Sequence, residues 1–131
     1  MVIDSSVVVA ILSGEPGSEL FLSAIEDDEN CVISNATVLE TKFVMLRKYG
    51  PEGAKGVDKF LFEAGVDLAD LNSPQTEIAY DGYERFGKGQ GHPAQLNMGD
   101  CFSYALAIYR SDMLLFKSND FSHTEVEIAD I

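Results

Sequence analysis

Apolar residues in this chain come in two alternating spacings. Short unbroken runs occur at Met1-Val2-Ile3, Cys31-Val32-Ile33 and Met113-Leu114-Leu115-Phe116, and Val66-Asp67-Leu68 reads as one further short strand. Runs of that length, bounded by polar residues, predict buried strands. Between them the apolar positions recur at helical spacing. Leu20, Phe21, Ala24 and Ile25 mark a helix over Glu19–Asp28, with Pro16 suited to a first helical position. Ala36, Leu39, Phe43, Val44 and Leu46 form the expected core-facing stripe of a helix over Ala36–Tyr49, capped by Ser34-Asn35. Further helices are expected over Glu52–Glu63 and over Gln75–Phe86, the latter with Ile78, Ala79, Tyr83 and Phe86 inward. Asp4-Ser5-Ser6 offers cap chemistry for a short helix over Val7–Leu12, although β-branched Val7-Val8-Val9 also suits a strand. Gly87 to Pro93 is glycine-dense and predicts a mobile loop; no Gly-Lys-Ser/Thr closes it, so it is no phosphate-binding P-loop. Val126–Ile131 predicts a short edge strand.

Strands and helices thus alternate along the whole length. That order predicts an α/β fold with a mostly parallel central sheet and helices on both faces. At 131 residues, with 46 % hydrophobic content and no repeat or linker, one domain over 1–131 is expected.

The last helix is the most unusual stretch. From Cys101 to Tyr109 only Ser103 is clearly polar, so the helix should be buried nearly all round. Asp100 stands in its first turn. One account is a cap, with Asn97 as N-cap and Asp100 three residues on in a capping box. The other is a functional carboxylate, which gains weight because further acids hold similarly odd positions. Asp4 ends the first strand, Glu40 lies on the apolar stripe of its helix, and Asp120 follows the last buried strand. Glu40 has an alternative as well, at the edge of its stripe and reaching solvent.

Charge narrows the function. With 22 acids against 9 bases the net charge is -13, which argues against binding nucleic acid or an anionic membrane by global attraction. It favours a basic partner or a divalent cation. No apolar run approaches a membrane span, and no basic segment precedes the first strand. Cys31 and Cys101 lie in apolar settings without metal-ligand spacing, as expected of reduced cysteines in a cytoplasmic protein. In a parallel sheet, functional groups gather at the C-terminal ends of the strands. Four acids meeting there would repel one another unless a cation joined them, and oxygen-only ligation suits Mg²⁺ or Mn²⁺. Such a cluster can hydrolyse phosphodiesters by activating water and stabilising charge on phosphate.

Four blocks carry a family resemblance. Val2-Ile3-Asp4-Ser5-Ser6, Ser34 to Glu40, Leu96 to Ala105 and Leu114 to Phe121 resemble, in this order, the PIN-domain ribonucleases, and most of all the VapC toxins of bacterial toxin–antitoxin pairs. The resemblance implies a PIN-like fold and a toxin that cleaves RNA with Mg²⁺ or Mn²⁺. It implies Asp4, Glu40, Asp100 and Asp120 as catalytic and metal-binding residues, with Ser118 or Asn119 as alternatives at the fourth position. Ser5, Ser118 and Asn119 are candidate lining residues, and Arg47, Lys48, Lys88 and Lys117 candidate RNA contacts. A VapB-like antitoxin, an RNA substrate and a homodimer are the implied partners. Two other classes fit part of the pattern. A phospho-acceptor receiver domain would use Lys117 but needs an acidic pair where Ser5 and Ser6 stand. A non-catalytic acidic interaction domain would show no stabilisation by metal.

Overall fold

The structure, a computed structural model, describes residues Met1–Ile131. Its elements are β1 (Val2–Ile3), α1 (Ser5–Leu12), α2 (Ser18–Asp27), β2 (Val32–Ser34), α3 (Asn35–Tyr49), α4 (Pro51–Glu63), β3 (Asp67–Ala69), α5 (Ser73–Phe86), α6 (Met98–Arg110) and β4 (Leu114–Leu115). The four strands form one parallel sheet in the order β3-β2-β1-β4. No helix is long and apolar enough to cross a membrane.

Side chains along a strand alternate between its two faces. Here both faces are covered, and the alternation sorts the core into two clusters. Ile3, Ile33 and Leu115 pack with Val7, Ile25, Val38, Met45 and Leu61 of α1–α4. Val2, Val32 and Leu114 pack with Leu96, Tyr104, Leu106 and Phe121 on the α5–α6 side. That two-sided burial is why β1, β2 and β4 read as unbroken apolar runs, whereas Asp67 and Leu68 of the edge strand β3 are exposed. It also brings the N-termini of α1, α3 and α6 to the strand ends that carry Asp4, Ser34 and the segment after β4.

Several elements depart from the reading of their periodicity, each for a local reason. In α1 the helix starts at Ser5, because Asp4 caps it and overrides the β-branched run. Pro16 precedes α2 rather than opening it; Gly17, at φ 85°, is the N-cap. In α3 the buried residues are Thr37, Val38, Thr41 and Met45, so the stripe through Leu39, Phe43 and Leu46 faces outward. In α5, Gln75, Gly82 and Phe86 are buried, while Tyr83 is exposed. The glycine-dense loop is tied to the entry of α6: the Lys88 N–H donates to the Leu96 carbonyl at 2.7 Å, and the Leu96 N–H to the Phe86 carbonyl at 2.8 Å. After β4 the expected edge strand reduces to an isolated bridge between Leu114 and Ile128. Cys31 and Cys101 are free and buried.

Tyr104 locks α5 to α6. Its ring is fully buried against Gly82, where an added Cβ would meet Cε1 at 2.5 Å. Its hydroxyl donates to Glu125, and Arg85 Nη2 donates to both groups at 2.7 Å. A rigid ring in a full core has nowhere to go. Gly82→Ala should therefore lower stability by about 1–3 kcal/mol, measured by urea denaturation, although Ala is the better helix former.

Candidate active site

Asp4 leaves β1 and caps α1, and only 2 % of it remains exposed. Its Oδ2 accepts from the Ser6 N–H at 3.1 Å and the Ser6 hydroxyl at 2.7 Å. Its Oδ1 accepts from the Ser103 hydroxyl of α6 at 2.6 Å. Asp100, 8 % exposed, completes a capping box on α6. The Asn97 Oδ1 accepts from the Asp100 N–H at 2.9 Å, and Asp100 Oδ2 accepts from the Asn97 N–H at 3.0 Å. The cap and the functional carboxylate are thus compatible: Oδ2 serves the helix, and Oδ1 is left for other partners.

Glu40 sits one turn further into α3 than the buried Thr37, with its carboxylate against the first turn of α6. A Cβ on Gly99 would fall 1.6 Å from Glu40 Oε2. Glu40 Oε1 is buried with no hydrogen-bond partner. The solvent-reaching alternative for Glu40 is therefore corrected. Helical wheels alone place Glu40 with Leu39 and Phe43; the structure instead turns it toward Thr37's side and leaves those two residues outside. Asp120, in the loop after β4, is half-buried and within hydrogen-bonding reach of the Asp100 carboxyl. The Ser118 hydroxyl accepts from the Asp120 N–H at 3.4 Å, and Asn119 is exposed.

Three of these acids are shifted toward protonation. Burial pushes Asp4 up from the usual carboxylate range, against the bonds from Ser103 and Ser6. Glu40 is raised by burial and by the Asp4 charge, with Ser5 opposing. Asp100 is pushed up to about 7, first by burial and then by the charges of Asp4 and Asp120, while the Asn97 N–H pulls it down. Buried like charges with an orphaned acceptor oxygen make a cation-seeking site. No three acidic, His or Cys side chains close into a ready-made metal cage. Asp4 and Asp100 each commit oxygens to caps, yet the donor set is all oxygen, which fits a hard divalent cation.

The candidate bases are less concentrated. Lys117 Nζ pairs with Glu15, and its N–H donates to Ser6 Oγ at 3.0 Å. Lys48 Nζ donates to Ser13 Oγ at 3.0 Å. Arg47 is exposed at the end of α3, two turns from Glu40, and Lys88 is exposed in the loop before α6. Reasoning from sequence passed over three contributors: Ser6 and Ser103, which hold Asp4, and Gly99, which makes room for Glu40. Only Ser103 carried a signal, as the lone polar residue of an apolar helix.

The fold thus gathers acids at the C-terminal edge of a parallel sheet. The model of the PIN domain family matches residues 1–127. The chain is 44 % identical over 126 residues to ribonuclease VapC30 of Mycobacterium tuberculosis, covering 96 % of this chain and 95 % of that protein. The crystal structure of VapC20 from the same organism, a toxin that cleaves the sarcin–ricin loop, superposes with TM-score 0.76 at 17 % identity, covering 95 % of this chain and 97 % of that one. VapBC2 of Rickettsia felis, bound to a DNA fragment from its promoter, superposes with TM-score 0.75 at 13 % identity, covering 98 % and 96 %. The chain belongs to the PIN-domain family, among the VapC ribonucleases.

Two outcomes follow from this geometry. Asp100 binds a proton more tightly in the folded than in the unfolded chain, so folding without metal should weaken as pH rises from about 4 through about 7. Thermal melts in EDTA should show that fall, and Asp100→Asn should reduce it, leaving the part that raised Asp4 and Glu40 contribute. Gly99→Ala puts a methyl where Glu40 Oε2 lies, and the flexible carboxylate can swing away. Its melting temperature should hold or rise, since Ala gains up to about 1 kcal/mol over Gly in a helix. RNA cleavage should nonetheless be lost.

Proposed function

We propose that this protein is the toxin of a VapBC-type pair and hydrolyses RNA phosphodiester bonds with Mg²⁺ or Mn²⁺. The observation that carries the reading is the group of buried Asp4 and Asp100 with half-buried Glu40 and Asp120, in which negative charge raises Glu40 and Asp100 and one Glu40 oxygen is unpartnered. The same four residues would hold the cation. When bound, it supplies Lewis acidity that lowers the pKa of an attacking water and offsets charge building on the phosphate. Asp4 is held on both oxygens and so fixes one side of the site. Asp100 presents Oδ1 from a helix N-terminus, whose free N–H groups and dipole also favour an incoming phosphate. Asp120 approaches from a loop, which suits a supporting role; Ser118 orients that loop and Ser5 steadies Glu40. Arg47 and Lys88 are the bases free to meet RNA locally, since Lys117 and Lys48 are engaged within the chain.

The partners follow from the same reading. A VapB-like antitoxin would neutralise the activity, and a net charge of -13 favours a basic inhibitory segment. A homodimer would cover the exposed apolar stripe of Leu39, Phe43 and Leu46 on α3. The setting is cytoplasmic, where RNA and antitoxin are made.

Purified protein should cleave RNA in Mg²⁺ or Mn²⁺ and stop in EDTA. Asp100→Asn removes the charge and keeps a cap acceptor, so it should abolish cleavage while preserving or raising metal-free stability. If that variant cleaved at the wild-type rate, the catalytic assignment would be lost. Asp120→Ala should slow cleavage less than Asp4→Ala in the same assay.

A further inference from the structure

Ser103 occupies a position that local sequence would give to Ala. It lies mid-helix in an apolar run and is fully buried. A serine there commonly bonds back to its own helix. Ser103 instead reaches across to Asp4 Oδ1, 99 residues away, at 2.6 Å. On its far side stands Thr37 of α3, also fully buried, with its Oγ1 3.4 Å from Ser103 Oγ. Each hydroxyl has one hydrogen. An ionised Asp4 only accepts, so the Ser103 hydrogen is committed to it, and the hydrogen shared with Thr37 must come from Thr37. The Thr41 hydroxyl in turn donates to the Thr37 carbonyl at 2.7 Å. The chain Thr37–Ser103–Asp4 therefore points in one direction and ends on the carboxylate, an arrangement in which each bond polarises the next.

The cap of α1 does not need this chain. Ser6 already bonds Asp4 Oδ2 twice. With Oδ2 alone held, the carboxylate is free to turn about its last torsion; the bond from Ser103 holds Oδ1 and fixes its plane. We propose that Ser103, backed by Thr37, is a positioning residue that sets the orientation of the Asp4 carboxylate toward the cation. The inference rests on the metal-dependent reading above. Ligand carboxylates are commonly oriented by such outer partners, whose loss weakens metal binding about 10–100-fold.

The test is Mn²⁺ affinity of the full chain, read from the free-ion signal by electron paramagnetic resonance, beside the kinetics of RNA cleavage. Ser103→Ala should weaken Mn²⁺ binding by about tenfold or more and lower kcat with little change in KM. Ser103→Thr keeps the donor and should recover most of both. Thr37→Val leaves the Asp4–Ser103 bond in place and should weaken binding only a few-fold. A folded Ser103→Ala protein with wild-type Mn²⁺ affinity overturns the proposal, as does equal impairment of the Ala and Thr variants, which would make Ser103 a packing residue. Should Ser103→Ala not fold, unchanged Mn²⁺ affinity in Thr37→Val overturns it. A wild-type chain that binds no Mn²⁺ overturns the metal reading and the positioning role with it, whereas wild-type binding with unaffected variants overturns the positioning role alone.

Discussion

The bond from Ser103 to Asp4 joins the two halves of the molecule at the place where its charge is hardest to bury. Asp4 follows the central strand β1, and Ser103 lies in the helix that covers one face of the sheet. A carboxylate this deep costs several kcal/mol unless hydrogen-bonded. Its three bonds come from α1 and α6, so the site exists only when both helices are seated. Ser6 extends the link to the segment after β4 through the Lys117 N–H, which places Asp120. One buried anion thus ties together the cap of α1, the position of α6 and the loop that bears the fourth acid.

Stability and function pull against each other here. Three of the acids are raised toward protonation by burial, Glu40 and Asp100 also by neighbouring negative charge, and the cluster has no basic residue inside it. A site optimised for folding alone would neutralise or solvate them. Retaining them stores electrostatic free energy in the fold. Gly99 belongs to the same compromise: a side chain there would favour the helix but would occupy the space of the Glu40 carboxylate.

An acidic ribonuclease is less paradoxical in this light. Negative charge spread over the surface opposes long-range attraction of RNA, while the reaction depends on charges within a few ångströms of the phosphate. The helix N-termini of α1, α3 and α6 converge on that edge and supply favourable dipoles without adding a single base.

Much of this was already set by local sequence. The alternation of short apolar runs with helical spacing is a property of neighbours, so it determined the parallel α/β order, the capping box at Asn97 and Asp100, and the cap at Asp4. The acids themselves were legible because a charge in an apolar setting needs a reason. Tertiary packing decided the rest. Which face of α3 is buried depended on where α1, α4 and α6 press against it, and that turned Leu39 and Phe43 outward and Glu40 toward Gly99. Val126–Ile131 has strand composition but only one residue in register with β4, so a bridge formed in place of a strand. Lys117 looked free until folding set Glu15 beside it. Ser103 could be noticed as odd in the sequence, but its partner lies 99 residues away, and no local spacing encodes a contact made across the core.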